Sequence, residues 1–475
     1  MRIWRGLRWR WRSMRVWRGL QRKIDRMSFR PELAGGLFCA EKAGKYLFLN
    51  PAIPDWIVVN ANAALLLSKC DGKTSVAAIT TSYNIPLSDV ESLFREATAH
   101  GVIVEFSALG RSDGNCACNT YQRGDQSDLG PPRLRTVHWK LTNDCNLRCR
   151  YCYSESGGAS ARMPFTELAR VAREAAAISP SVEYVLSGGE PLLHPNALEF
   201  AELLDSMGNS ISLLTNGTLI NASNARRIAD FSDRIKISLD GSTEAIHTLT
   251  RRRGNYAAVI AAIDMLAALG ANVQVAMTVH KRNLDDIDAM TRRYGSMLTF
   301  QPLFPAGRGA RRDDLHLTGS EYYEALAATD NVAPMAAIGS VLESLRGRGA
   351  TRCALADTEI SISENGDVFP CQLLSDSAFA AGNVREKPLT EIYFESPVLE
   401  EARSVSVNTL AKCRDCPIRL LCAGACRARD YYEIGTIEEV GDFCEYEQQA
   451  FINGLFDSAE LEPVSSWLGT RSQTD

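Results

Sequence analysis

The sequence predicts an α/β protein built on a parallel sheet, and three observations carry that prediction. Between residues 135 and 312, six stretches read as strands: 136–142, 183–187, 210–215, 234–239, 272–279 and 298–304. Stretches of helical periodicity, such as 164–178 and 256–269, lie between them, and such alternation implies parallel strands joined by right-handed crossovers. The chain has 475 residues, 45% of them hydrophobic, which is enough for two or three domains with a sizeable core. Its 14 cysteines are mostly clustered. No apolar segment with a cleavage site opens the chain, so the clusters read as metal ligands in a reducing cytoplasm rather than as disulfides. No uncharged apolar run approaches the roughly 18 residues of a membrane span.

Residues 1–32 form a basic, Trp-rich extension. Within 1–27, nine Arg and one Lys face a single Asp, against a formal net charge of −5 for the whole chain. Ile3, Leu7, Trp11, Met14, Trp17, Leu20, Ile24 and Met27 recur every three or four residues, as in a cationic amphipathic helix able to touch anionic lipid. The competing reading is that the natural chain starts at Met14 or Met27. Residues 33–106 predict a strand near 46–49, helices near 59–69, 74–83 and 87–99, and a strand at 102–106. This region is not strongly basic, so nucleic acid is not an expected partner. Residues 107–134, rich in Ser, Gly, Asp and Pro, read as a linker carrying an idle Cys116–Cys118 pair. Residues 313–352 read as a helical bridge, and 353–475 as a Cys-rich domain and tail.

Cys145, Cys149 and Cys152 follow the first strand in a C-x3-C-x2-C run. Three thiolates can hold three irons of a four-iron cluster and leave the fourth open to a non-protein ligand. Zinc favours paired C-x2-C and a fourth ligand nearby. With this run the chain resembles the radical S-adenosylmethionine (SAM) enzymes, and the six β/α units then imply a partial (β/α)6 TIM-like barrel with its chemistry at the C-terminal strand ends. The resemblance implies SAM on the open iron and, by residue, further contacts. Tyr151 would lie against the adenine. Gly188, Gly189 and Glu190, in the run Ser187–Pro191 at the end of the second strand, would take the SAM amino group. Ser238 would touch the ribose. Arg251, four residues after His247, would hold the SAM carboxylate, although Thr248 stands where the family has Asp and Arg252 and Arg253 blur the register. Asp240, two residues after Ser238, is expected on the same side of its strand and is the candidate catalytic base or substrate ligand. Thr215–Gly217 reads equally as a site wall or a turn.

The last region repeats the argument with more cysteines. Cys353 is followed by Gly366 and Cys371, then Cys413-x2-Cys416-x5-Cys422-x3-Cys426, and finally Cys444. This spacing resembles the SPASM domain. The resemblance implies one auxiliary [4Fe–4S] cluster on Cys413, Cys416, Cys422 and Cys444, and another on Cys353, Cys371 and Cys426, its fourth position open or filled by a non-cysteine ligand. With the SAM-binding cluster that makes three. Residues 33–106 resemble the PqqD-like, winged-helix-like α+β peptide-recognition domain, through Leu49-Asn50-Pro51, Asp71–Thr74 and His100–Ile103. Together the parts imply a maturase acting on a small partner polypeptide with a leader sequence, supplied with electrons by a flavodoxin or ferredoxin. The chemistry the resemblance favours is a thioether between a Cys sulfur and a side-chain carbon, plausibly of Asp or Glu. Carbon–carbon crosslinking, oxidative decarboxylation and sulfatase-type maturation stay open, although Gln372 stands where sulfatase-maturing relatives have Asp. A scaffold that only binds peptide is the alternative of another class.

Overall fold

The structure, a computed structural model, describes residues 28–104, 132–158, 161–251, 253–329, 342 and 344–458. The basic segment 1–27, most of the linker with Cys116 and Cys118, and the end of the tail lie outside the described residues.

The N-terminal unit opens with β1 (Glu32–Leu33) and continues into an antiparallel sheet of β2 (Phe38–Lys42), β3 (Lys45–Asn50) and β4 (Asp55–Asn60). Helices α1 (Ala61–Leu67), α2 (Val76–Tyr83) and α3 (Leu87–Ala99) follow, and β5 (Ile103–Val104) pairs back on β1. The predicted helices are present, with the first shorter than expected. Residues 55–60, partly assigned to that helix, are a strand, and Asn60 is the turning point: its side chain accepts from Ala63 N–H as the cap of α1. Strand alternation gives the sheet two apolar faces. Phe48 and Ile57 pack with Leu67, Val90 and Phe94 of the helices. Leu47, Leu49, Trp56 and Val58 pack instead against Ile418, Leu421, Leu455 and Phe456 near the C-terminus. Arg346 locks this junction, donating to Asp55 at 2.8 Å and to the Trp56 carbonyl at 2.6 Å, with its guanidinium 4.5 Å over the Trp56 ring.

The central sheet contains the six predicted strands, β6 (Thr136–Lys140), β7 (Glu183–Ser187), β8 (Ser210–Thr215), β9 (Arg234–Ser238), β10 (Val273–Val279) and β11 (Leu298–Pro302), all parallel and in sequence order. The sheet continues beyond β6. β12 (Glu359–Ile362) joins it in parallel, and β13 (Asp367–Phe369) and β14 (Gly382–Asn383) extend it antiparallel, making nine strands among the described residues. The C-terminal region is thus sewn into the barrel sheet, which its cysteine spacing alone did not indicate.

Helices α4 (Phe165–Ile178), α5 (Ala197–Ser206), α6 (Ala225–Phe231), α7 (Glu244–His247), α8 (Tyr256–Ala268) and α9 (Ile287–Tyr294) accompany the sheet. Leu168, Val171, Ala172 and Ala175 give α4 one buried stripe at helical spacing. The strands alternate sharply. In β10 Val273, Val275, Met277 and Val279 are buried in the core, while Ala276 and Thr278 line an interior cavity. The C-terminal region adds α10 (Gly319–Ala327), α11 (Leu389–Glu395), α12 (Pro397–Ser404), α13 (Arg419–Cys422), α14 (Arg427–Ile434) and α15 (Phe443–Ser458).

Trp139 sits at the centre of the main core, fully buried and edge-on to Phe200 at 5.0 Å. Trp139→Ala should therefore cost about 3–5 kcal/mol, read as a lowered denaturation midpoint of the sheet followed by near-UV circular dichroism.

Candidate active site

A cavity of about 660 Å³ lies inside the sheet and reaches from the β6–β9 strand ends to the C-terminal region. Cys145, Cys149 and Cys152 form part of its wall, with Gly188, Gly189, Ser238 and Arg251, while Gln372, Cys426 and Arg429 contribute from the C-terminal side.

The triad loop is held by its neighbours' backbone. Gly189 N–H donates to the Thr142 carbonyl at 2.7 Å and Glu190 N–H to that of Asp144 at 2.8 Å. Gly188 has φ +151°, and a Cβ there would lie 2.4 Å from Thr142 O; one on Gly189 would lie 2.2 Å from Asp144 O. Only glycines allow these two strand ends to touch. On the other side Arg308 spans the loop, donating from Nε to the Cys149 carbonyl and from Nη1 to that of Ser156, each at 2.9 Å. Its own N–H reaches Cys152 O at 3.0 Å. No motif pointed to Arg308; the only signal was its place after the sixth strand.

This donor set fits an iron–sulfur cluster. Three thiols sit on one short clamped loop at a cavity wall, and every described cysteine is free of disulfides. Burial pushes the Cys149 thiol up to about 11, so a bound metal would displace its proton rather than find a ready thiolate. Among the described residues no three His, Cys, Asp or Glu side chains converge on a single ion; a four-iron cluster takes one thiolate per iron and does not need that convergence.

The predicted SAM contacts divide into two sets. Tyr151, Gly188, Gly189, Ser238 and Arg251 reach the cavity wall, as do Thr215 and Asn216. Glu190 lies behind it, fully buried. Its carboxylate accepts from Thr215 Oγ1 and Asn216 N–H at 2.8 Å and from Leu192 N–H at 3.3 Å. Burial outweighs those donors and pushes it up to about 7.

The expectation of a cavity-facing Asp240 is not met. The strand ends at Ser238, so the alternation that put both residues on one side does not extend to Asp240. The carboxylate is fully buried and enclosed by Arg251 Nε at 2.6 Å, the Tyr151 hydroxyl, Thr250 Oγ1 and Thr278 N–H. Burial raises its pKa, but the Arg251 guanidinium prevails and holds the carboxyl below its ordinary value. Arg251 is correspondingly committed, and its guanidinium lies 5.6 Å from the Tyr151 ring centre.

The C-terminal cysteines assemble in two groups. Cys413, Cys416, Cys422 and Cys444 line one small void of about 20 Å³, with Gln448 Nε2 3.3 Å from Cys416 Sγ. Cys353, Cys371 and Cys426 are close enough to affect one another's ionisation. Burial is the main force raising Cys371, and Glu359, Cys353 and Cys426 add to it. Cys426 reaches the main cavity; beside Cys371, the Gln372 side-chain oxygen is buried on the cavity wall without a hydrogen-bond partner among the described residues. The grouping coincides with the two ligand sets that the resemblance to the SPASM domain implies.

Residues 139–293 match the radical SAM superfamily, and residues 353–417 match SPASM, an iron–sulfur cluster-binding domain. The chain is 30% identical over 321 residues to the mycofactocin maturase MftC of Mycobacterium ulcerans, covering 62% of this chain and 83% of that one. It is also 30% identical over 351 residues to the AdoMet-dependent heme synthase of Methanosarcina barkeri, covering 66% and 97%. Against the subtilosin biosynthesis protein AlbA of Bacillus subtilis it is 26% identical over 298 residues, covering 60% and 66%. Among solved structures, anSMEcpe with bound AdoMet superposes with TM-score 0.57 at 19% identity, over 69% of this chain and 94% of that one. Streptococcus suis SuiB bound to its precursor peptide SuiA superposes with TM-score 0.54 at 14% identity, over 87% and 100%.

Glu190 generates a pH signature. Its pKa rises from an ordinary 4.5 to about 7 on folding, so the folded chain binds more protons than the unfolded chain between those values, and stability falls as pH rises through them. Relative to Glu190→Gln, the metal-free wild type should lose stability from about pH 4.5 to about pH 7 and stay level above, as denaturant titrations at stepped pH would read.

Proposed function

The chain belongs to the radical SAM superfamily and carries its SPASM iron–sulfur domain, and from that membership we propose that it is a peptide maturase forming thioether crosslinks in a small partner polypeptide. The observation that carries the proposal is the shared cavity: the SAM-type cysteine triad and Cys426 of the second cysteine group line one space. When bound, SAM and the triad's cluster supply a 5'-deoxyadenosyl radical able to take hydrogen from carbon.

The chain's own residues do the holding. Arg308, Gly188 and Gly189 fix the triad loop. Ser238 and Tyr151 present a hydroxyl and a ring face at the cavity wall, and Arg251 is held in place by Asp240. Asp240 is thereby a positioning residue in this reading rather than the base. Cys353, Cys371 and Cys426 would hold the second auxiliary cluster, and a position left open there suits a substrate thiol, which metal binding acidifies. In the net reaction one C–S bond would replace a C–H and an S–H bond: the carbon-bound hydrogen would leave on 5'-deoxyadenosine, the thiol proton would go to solvent, and the last electron would return to the iron–sulfur sites, so that SAM, cleaved to methionine and 5'-deoxyadenosine, would serve as the net two-electron oxidant. Cys413, Cys416, Cys422 and Cys444 would hold the other auxiliary cluster, with flavodoxin or ferredoxin as the external donor.

The N-terminal unit is read as the PqqD-like leader-binding domain. Its three-stranded sheet ends in β2 and β4, and an extended leader can add to such an edge. The finer reading is an architecture like that of the maturation enzyme for the quinohemoprotein amine dehydrogenase small subunit, which joins Cys sulfur to Asp or Glu carbon. The similarity to a mycofactocin maturase keeps a peptide maturation other than thioether formation, in the form of oxidative decarboxylation, as the second reading.

Anaerobic reconstitution should give about twelve irons per chain for three complete clusters, and Cys145→Ala should keep about eight and lose SAM cleavage. Mass spectrometry of a small Cys-containing polypeptide, sought first among the neighbouring genes and incubated with the reconstituted enzyme, should show loss of two hydrogens per crosslink. Loss of carbon dioxide would instead establish the second reading, and an unchanged mass would reject both.

A further inference from the structure

The inner wall of the sheet is far more charged than a packed barrel interior, and nearly every cation on it is answered. Arg234 meets Glu183 at 2.6 Å and Ser212 Oγ at 3.2 Å. His138 meets Glu359 at 3.2 Å, and Arg251 is closed on Asp240. Arg308 is spent on two carbonyls of the triad loop. Arg429 lies 4.0 Å from the Phe443 ring centre, in the field of Glu433 and Glu447, with its buried Nε unpaired among the described residues.

Lys236 is different. It lines the same cavity, and among the described residues its ammonium has no hydrogen-bond or ion-pair partner. Burial, with the like charge of Arg234, lowers its pKa, the sign of a charge lacking an acceptor. It stands two residues before Ser238 on β9, about 6–7 Å further into the barrel than the strand end. Thr278 and Gln301, paired across β10 and β11, also line the cavity and offer neutral hydrogen-bonding groups.

We propose that Lys236 is the substrate anchor: its ammonium pairs with a carboxylate of the peptide, so that the segment entering the barrel is one with an acidic group near the reacting carbon. This rests on the peptide-maturase reading. The one lysine on the wall, with no acidic neighbour acting on it, matches one negative charge. A phosphate group would call for an arginine fork or several cations, and of the wall's arginines Arg234, Arg251 and Arg308 are hydrogen-bonded while Arg429 sits on an aromatic face between two acidic residues. An ammonium that gains a buried carboxylate recovers the acceptor it lacks, a contact of the stronger, charge-assisted kind.

The probes are three short peptides: acetyl-Gly-Asp-Gly-amide, its neutral isostere acetyl-Gly-Asn-Gly-amide, and acetyl-Gly-Asn-Gly with a free C-terminus. Binding to the reconstituted, SAM-loaded full chain is read by calorimetry. At least one carboxylate peptide should bind about tenfold tighter than the neutral one, and which of the two does so tells a side-chain from a C-terminal source. That preference should vanish in Lys236→Met and persist in Lys236→Arg. Equal affinities for all three peptides in the wild type, which needs no variant, would overturn the proposal, as would a preference that survives Lys236→Met. Reductive SAM cleavage by the same wild-type preparation separates the two levels: cleavage without discrimination sinks the anchor alone, whereas no cleavage sinks the reading beneath it.

Discussion

The parallel pairing of β12 with β6, from Glu359 opposite Thr136 to Ile362 opposite Trp139, is the contact on which the rest of the site depends. It joins a strand from the second cysteine-rich region to the first strand of the barrel, so two regions far apart in sequence share one sheet and one cavity. Cys353 precedes β12 and Cys371 follows its hairpin with β13, so the register of this one strand places both. A slip of one residue would turn Glu359 off the cavity wall and bring Ile360 and Ile362 out of the core. Both isoleucines are fully buried, each worth about 1.5–3 kcal/mol of apolar burial. The hydrophobic effect therefore holds the register that the chemistry needs.

A second constraint acts at the opposite wall. Asp240, Arg251 and Tyr151 form a buried charged group, and removing one member of such a group leaves its partner charged and unpaired, at about 3–5 kcal/mol. An apolar trio would fill the space at less electrostatic cost. The charged version fixes direction as well as volume. It ties the end of β9 to the segment after α7 and to a residue inside the cysteine triad, while Arg308 grips the triad from the loop after β11. The loop proposed to hold an iron–sulfur cluster is thus pinned from the segments that follow β9 and β11, and a site supported in this way keeps its geometry without help from its ligand.

Much of this was legible in the sequence because the barrel strands announce themselves twice, by apolar alternation and by the motifs at their ends. The runs Thr136-Val-His-Trp-Lys140 and Arg234-Ile-Lys-Ile-Ser238 carry period two plainly, and both strands begin where expected. The short cysteine runs at 145–152 and 413–426 were equally plain in the sequence, whereas the grouping of Cys353, Cys371 and Cys444 with them came only through the resemblance to the SPASM domain. What escaped was set by tertiary structure. Trp56-Ile-Val-Val59 is separated from Ala-rich α1 only by Asn60, and apolar runs this close do not by periodicity alone show where strand becomes helix; the cap at Asn60 was the signal passed over. Glu190 was located by its motif, but the donors that capture its carboxylate, Thr215 and Asn216, belong to the next strand. Asp240 was misplaced because alternation was carried two residues beyond the strand's end. The pairing of β12 with β6 was invisible for the same kind of reason: a four-residue strand has no periodicity to read.

The polarity of the barrel interior follows from its use. Barrels without a cavity fill their interior with layers of branched apolar side chains; here the same inward positions hold Thr136, His138, Glu183, Ser212, Arg234 and Lys236 around about 660 Å³ of space. A volume of that order suits a drug-sized ligand. It has room for a nucleoside cofactor and a few side chains, and none for a folded protein. A polypeptide substrate can therefore present only an extended segment or a loop to the radical, and so short a segment offers few contacts with which to be chosen. Recognition has to come largely from elsewhere, and tethering a distant part of the substrate supplies it by raising the local concentration of the reacting segment. The N-terminal unit, packed through Trp56 and Arg346 onto the cysteine-rich domain rather than floating on its linker, stands at a fixed distance from the cavity. If that unit holds the substrate's leader, as proposed, a rigid spacing of that kind would make reach, measured along the substrate chain, a determinant of which residue enters the barrel.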